Sequence, residues 1–138
     1  MANIYKNAFL RHMDREGIKY EDRDERTVWV RFSGDNLRTI RITVIFSEDG
    51  DPYVVFKNWD IGSFKDDSKY AKGLVACNEM NKKWRWAKFY LDEDRDVTVG
   101  CDAIVDEETV GPECEELVRR LVHIIDEVYP EFMRAMYA

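Results

Sequence analysis

Residues 84–106 read WRWAKFYLDEDRDVTVGCDAIVD, and the pattern of this stretch decides the fold. Ala87, Phe89 and Leu91 alternate with Trp84, Trp86, Lys88 and Tyr90. That period of two belongs to a strand with one buried face. DEDRD supplies turn residues, after which Val97, Val99, Cys101, Ala103 and Val105 share one side of a returning segment. The reading is an antiparallel hairpin with one apolar face and one aromatic, basic face.

The same alternation runs through the upstream half. In TVWVRF, Val28, Val30 and Phe32 oppose Thr27, Trp29 and Arg31; in RTIRITVIF, Ile40, Ile42, Val44 and Phe46 oppose Thr39, Arg41 and Thr43. SGDN separates the two segments and SEDGD follows them, with Asp49-Gly50 suited to a hairpin turn of positive φ. A shorter strand, IKYE, precedes them, and Tyr53 to Phe56 adds another, opened by Pro52 where a missing donor does least harm.

Helical signals bracket and interrupt the strands. Asn3 and Gly17 fit the N-cap and left-handed C-cap of a first helix, which places Ile4, Tyr5, Ala8, Phe9, His12 and Met13 on one arc. His12 is expected at the border of that arc, bonded to a backbone carbonyl or water. After a loop over 58–67, Asp67 or Ser68 caps a second helix reaching about Lys82. Its apolar arc holds Tyr70, Ala71, Leu74, Val75 and Cys77, with Asn78 and Asn81 flanking Leu74 on the side expected to be buried. A buried amide needs its donors and acceptor paired, so both asparagines are expected to bond a turn or strand end. Gly73 marks either a close helix approach or nothing.

A third helix is expected from Gly111-Pro112, with early glutamates at the positive end of its dipole. Its apolar stripe from Cys114 to Tyr129 is wider than the roughly 100° that covers one surface, which predicts more than one partner surface. Pro130 is expected to end or kink it, leaving EFMRAMYA as a short apolar tail. His123 falls on the polar side among Arg119, Arg120, Asp126 and Glu127, a solvated lattice of i±3 and i±4 neighbours. The sum is an α+β domain over residues 1–138: an antiparallel sheet of about five to six strands packed by three helices, in the order α-β-β-β-(β)-α-β-β-α.

Composition limits what such a domain does. Of 138 residues 45% are apolar and 36% charged, a globular balance, and the net charge of −7 repels nucleic acid and anionic membranes on average. The opening MANIYKNAFLRHMDREG has no apolar run of signal-peptide or membrane-span length, so a cytoplasmic protein without a membrane partner is expected. Cys77, Cys101 and Cys114 form no C-x-x-C pair and are read as free thiols in a reducing compartment.

Chemistry-bearing motifs are sparse. Asp92, Asp94 and Asp96 open like a calcium loop, but Val97 stands where that loop needs Gly and Ala103 where it needs a bidentate Glu. His12 and His123 are the only histidines and lie far apart in the chain, so no metal site is read. The chain lacks G-x-S-x-G, a P-loop and G-x-G-x-x-G. The reading is therefore of a protein that is not an enzyme and takes no cofactor.

The segment from Leu74 to Val105 carries an N-x-x-N helix end at Asn78 and Asn81, a basic link, Tyr90-Leu91-Asp92, an acidic turn and a returning strand; VYPEF follows over 128–132. In these features the chain resembles the YbjN family, labelled as sensory-transduction regulators. The resemblance implies a fold like that of the type III secretion chaperones, commonly dimeric, and brings no catalytic residues. Trp84 and Trp86 depart from it, standing where smaller or aliphatic residues are expected.

The expected function is a small chaperone-like regulatory protein, a homodimer that binds a protein or peptide segment. Its candidate interaction face is Trp84, Trp86, Lys88 and Tyr90. The alternative is a single-stranded nucleic-acid binder using the basic and aromatic residues of Lys82–Tyr90, a reading that the acidic chain disfavours.

Overall fold

The computed structural model of the protein describes residues 3–138; Met1 and Ala2, the start of the domain read over 1–138, lie outside the described residues. Along the chain run α1 (Ile4–Glu16), β1 (Glu21–Asp22), β2 (Thr27–Phe32), β3 (Ile40–Phe46), β4 (Tyr53–Asn58), α2 (Asp67–Lys83), β5 (Lys88–Leu91), β6 (Val97–Ile104) and α3 (Val110–Tyr137). The strands form one antiparallel sheet in the order β1-β2-β3-β4-β6-β5. This is the α+β class and element order expected from the alternation and caps.

Register follows from the period-2 pattern, because a slip of one residue would turn every apolar side chain outward. Val30 pairs with Ile42, Val44 with Phe56, Phe56 with Cys101, and Phe89 with Val99. Val28, Val30, Ile40, Ile42, Val44, Phe46, Val54, Phe56 and Val99 are buried on this inner face. All three helices pack on that side, α3 lying over β3 between α1 and α2. Phe9 of α1 meets Phe46 at 5.8 Å, and Phe132 of α3 stacks on Phe89 at 5.9 Å. The wide apolar stripe of α3 is thus spent on the sheet and on two helices. Ile61 and Phe64, from the loop between β4 and α2, plug the same core.

Both caps of α1 form as read: the Asn3 side chain accepts from the Tyr5 and Lys6 amides, and Gly17 has φ +69°. Two details differ. Ile4 is half exposed, while Lys6 is buried with its Nζ donating to Asp22 Oδ1 and the Asp24 carbonyl, each at 2.6 Å. His12 bonds a side chain and not a backbone carbonyl: its Nε2 lies 2.7 Å from Glu115 Oε1 on α3. The helices approach so closely here that a Cβ on Gly111 would run into the His12 side chain.

The expected face of α2 holds at Cys77 but not at Ala71, Leu74 or Val75. Leu74 and Val75 are 46% and 62% exposed, and Asn78 and Asn81 are exposed too, whereas Gly73, Cys77 and Met80 are buried. Small residues set the orientation. A Cβ on Gly73 would lie 2.6 Å from the Phe64 ring, so the helix seats its narrow seam and leaves larger apolar groups outside. The N-cap is Asp66, one residue before the expected pair.

Pro130 neither ends nor interrupts α3, which continues to Tyr137 and takes up the expected tail. A proline has no N–H for the carbonyl four residues back, here that of Asp126. Asn36 Nδ2 donates to that carbonyl at 3.1 Å instead. Asp126 itself is buried, not solvated as its lattice position predicted. Its carboxylate accepts from the backbone N–H groups of Asp35, Asn36 and Leu37 at 2.8–3.0 Å, fastening the β2–β3 loop to α3.

Candidate interaction site

The expected strand WRWAKFYL begins only at Lys88. α2 runs to Lys83, whose neighbour Trp84 caps the helix by donating its backbone N–H to the Met80 carbonyl at 2.9 Å. The chain must then reverse to set Lys88 beside Gly100, and it does so with Trp86 at φ +79°. A bulky side chain in that region is a backbone outlier, costing about 1–3 kcal/mol.

The two indoles land on different footings. Trp84 is half-buried against the core, edge-on to His123 of α3 with ring centroids 6.0 Å apart. Its Nε1 is buried and has no acceptor among the described residues. Trp86 is 54% exposed, with the Arg120 guanidinium 5.5 Å from its ring centroid. Between this link and α3 lies a hollow of about 280 Å³, lined by both indoles, Arg85, Arg119, Arg120, His123 and Ile124. Arg119 and Arg120 are each engaged through Nε, with Glu115 at 2.7 Å and Glu116 at 2.9 Å. Arg119 first, then His12, hold the Glu115 carboxyl below its ordinary pKa against the opposing push of burial.

Lys88 and Tyr90 stand elsewhere, on the sheet face turned away from the helices. Lys57 Nζ donates to Tyr90 Oη at 2.8 Å, and the Lys57 and Lys88 ammonium groups lie 5.2 and 5.5 Å from the Tyr90 ring. The four residues read as one face therefore split, with Trp86 at the corner: it also lines a shallow hollow of about 330 Å³ with Lys57, Lys88 and Asp102. Lys82 is turned toward Glu79 at 3.5 Å, so the cations of Lys82–Tyr90 do not form the continuous track that a nucleic-acid strand requires.

The open sheet face carries a cluster the sequence reading passed over. Trp29 lies under Arg23 at 3.9 Å, Arg41 at 4.1 Å and Arg31 at 5.4 Å. Cross-strand pairing of Trp29 with Thr43 and of Arg31 with Arg41 brings these side chains to one face. The alternation already put Trp29, Arg31 and Arg41 on the outward parity, and that was the available signal.

The carboxylates of Asp92, Asp94 and Asp96 lie within 4.8 Å of one another. Asp92 accepts from the Asp94 and Asp96 amides, and Lys65 pairs with Asp96 at 3.2 Å, so the cluster closes the β5–β6 turn. Cys77, Cys101 and Cys114 are free thiols; burial raises Cys77 to about 11 and Cys101 to about 12, and pushes Cys114 up as well.

A family model described as "Putative bacterial sensory transduction regulator" matches residues 8–134, a span that takes in all of the strands, all of α2 and most of α1 and α3. The chain belongs to the YbjN family. A comparison with curated proteins found no match. The family is described as one of regulators, which supports a regulatory or binding role for this YbjN protein.

The N-x-x-N signature can be given a physical account in this YbjN chain for one of its members. Asn81 Nδ2 donates to the Phe89 carbonyl at 2.9 Å, and Asn81 Oδ1 accepts from the Phe89 N–H at 2.8 Å. β5 is an edge strand, and these are the backbone groups that an added strand would seek. Asn78 is exposed. Among the described residues, no helix of this YbjN protein is long and apolar enough to cross a membrane.

Proposed function

We propose that the chain acts as a single-domain, non-enzymatic cytoplasmic regulator that holds a protein partner in the manner of a small chaperone and works as a homodimer. The observation that carries this reading is the outward face of α2. Leu74 and Val75 are left exposed, and Val75 lines a groove of about 540 Å³ between α2 and the last turns of α3, whose floor is Ala71, Ala76, Met80 and Ala135 and whose rim is charged, with Lys72, Glu79, Glu131 and Arg134. Contiguous exposed apolar surface of this kind marks protein interfaces. Membership of a regulator family agrees with it. Sedimentation at micromolar concentration tests the dimer: the native chain is expected as a dimer and Val75→Glu as a monomer of unchanged circular dichroism. A native chain that sediments only as monomer overturns the homodimer.

A further inference from the structure

We propose that the hollow between the Trp84–Trp86 link and α3 docks an acidic peptide segment, one in which carboxylates flank an aromatic or branched aliphatic side chain. The proposal rests on the protein-binding reading and names the chemistry of the partner. At about 280 Å³ the hollow falls just below the usual range of small-molecule pockets, about 300–1,000 Å³, so it suits one anchoring side chain. Its apolar walls are the indoles of Trp84 and Trp86 with Ile124, and no carboxylate lines it.

Cations surround those walls. Arg85, Arg119 and Arg120 all line the hollow, on a chain whose net charge is −7. A guanidinium offers five N–H donors. Glu115 and Glu116 engage Arg119 and Arg120 through Nε, which leaves donors for a second carboxylate. Tryptophan and arginine are also the residues in which interface hot spots are richest.

Two local penalties set this place apart. Trp86 holds φ +79° with its indole more than half exposed, and the buried Trp84 Nε1 lacks an acceptor. Strain of this kind persists where surroundings impose it, and it gathers at ligand clamps. A nucleic-acid strand fits less well. It needs a track of cations with stacking platforms, whereas here Glu115 and Glu116 stand behind two of the arginines and the hollow takes a single group.

The test is fluorescence anisotropy of the full chain with a labelled peptide centred on Asp-Asp-Phe-Asp-Glu. Comparators are its Asn/Gln version, its Phe-to-Ala version and a labelled oligothymidylate. The acidic aromatic peptide is expected to bind about tenfold or more tighter than each comparator, and to weaken with salt. Trp86→Ala and the surface change Arg120→Gln are each expected to lower its affinity about tenfold while circular dichroism is retained. Equal binding of all peptides, tightest binding of the oligothymidylate, or indifference to both substitutions overturns the proposal. Absence of peptide binding by a chain that still sediments as a dimer overturns this inference and leaves the homodimer reading intact.

Discussion

Asn36 donates its side-chain amide to the carbonyl of Asp126, the residue four positions before Pro130. The bond replaces the one that a proline cannot make inside a helix. Asn36→Ala is expected to destabilise the chain by about 1–3 kcal/mol by orphaning that carbonyl. In a Pro130→Ala background the residue-130 N–H can serve the carbonyl instead, so Asn36→Ala should cost less. Urea unfolding of the four chains measures the coupling, expected at about 0.5–3 kcal/mol; strict additivity would mean that Asn36 does not answer for the proline.

The same helix position governs acid sensitivity. Burial pushes the Asp126 carboxyl pKa up, but the Leu37, Asn36 and Asp35 backbone donors outweigh it and hold the group below its ordinary value. An acid with a lowered folded pKa binds fewer protons folded than unfolded in that window, so its stabilisation is complete above the unfolded value of about 4 and is lost as pH falls through the folded value. Glu115, lowered by Arg119 and His12, acts in the same direction. Melting temperature is therefore expected to fall steeply below pH of about 4. Asp126→Asn should lower stability at neutral pH by about 1.5–3 kcal/mol and flatten that acid limb.

Asn81 and Asn78 belong to one motif and should behave differently. Asn81→Ala strips both bonds from the Phe89 peptide, with an expected loss of about 1–3 kcal/mol and a greater tendency of the uncovered β5 edge to associate. Asn78→Ala, at an exposed position, should stay within about 0.5 kcal/mol of the native chain. Chemical unfolding with light scattering reads both effects, and equal losses at the two positions would contradict the assignment.

Gly73→Ala would ordinarily stabilise a helix interior by up to about 1 kcal/mol. The added Cβ would meet the Phe64 ring at 2.6 Å, so a loss of about 1–3 kcal/mol is expected from overpacking. A calorimetric gain would show that α2 can back away from Phe64 without penalty.

Trp86→Gly separates strain from packing. Glycine adopts φ +79° without the Cβ penalty of about 1–2 kcal/mol, and the indole it removes is mostly exposed. Stability is expected to hold or rise by about 1 kcal/mol while binding of the acidic peptide falls. A clear drop in melting temperature would instead make Trp86 a packing residue.

β2, β3, β4 and β6 were legible because alternation, turn residues and Gly50 at φ +73° all point the same way, whereas the strand read over IKYE forms only at Glu21–Asp22 and the one read over WRWAKFYL only from Lys88. The α1 caps were legible for the same reason, since Asn3 and Gly17 act locally. α2 was misread because an apolar tally favours Leu74 and Val75, whereas contact with Phe64 and Leu91 depends on the absent side chain of Gly73. The candidate site was half legible. Trp84 and Trp86 could be singled out as unexplained, but strand parity grouped them with Lys88 and Tyr90. Their actual neighbours, Arg119, Arg120 and His123, come from a distant helix that no local period can supply.

Because α3 follows every strand, the inner face of β2, β3 and β4 is complete when only α1 is there to cover part of it. Synthesis at about 5–20 residues per second separates Phe56 from Phe132 by roughly 4–15 seconds. Throughout that interval Val30, Ile42, Val44 and Phe56 face water or whatever else is near the ribosome. The meander therefore waits, with apolar surface uncovered, on a helix that has not yet been made.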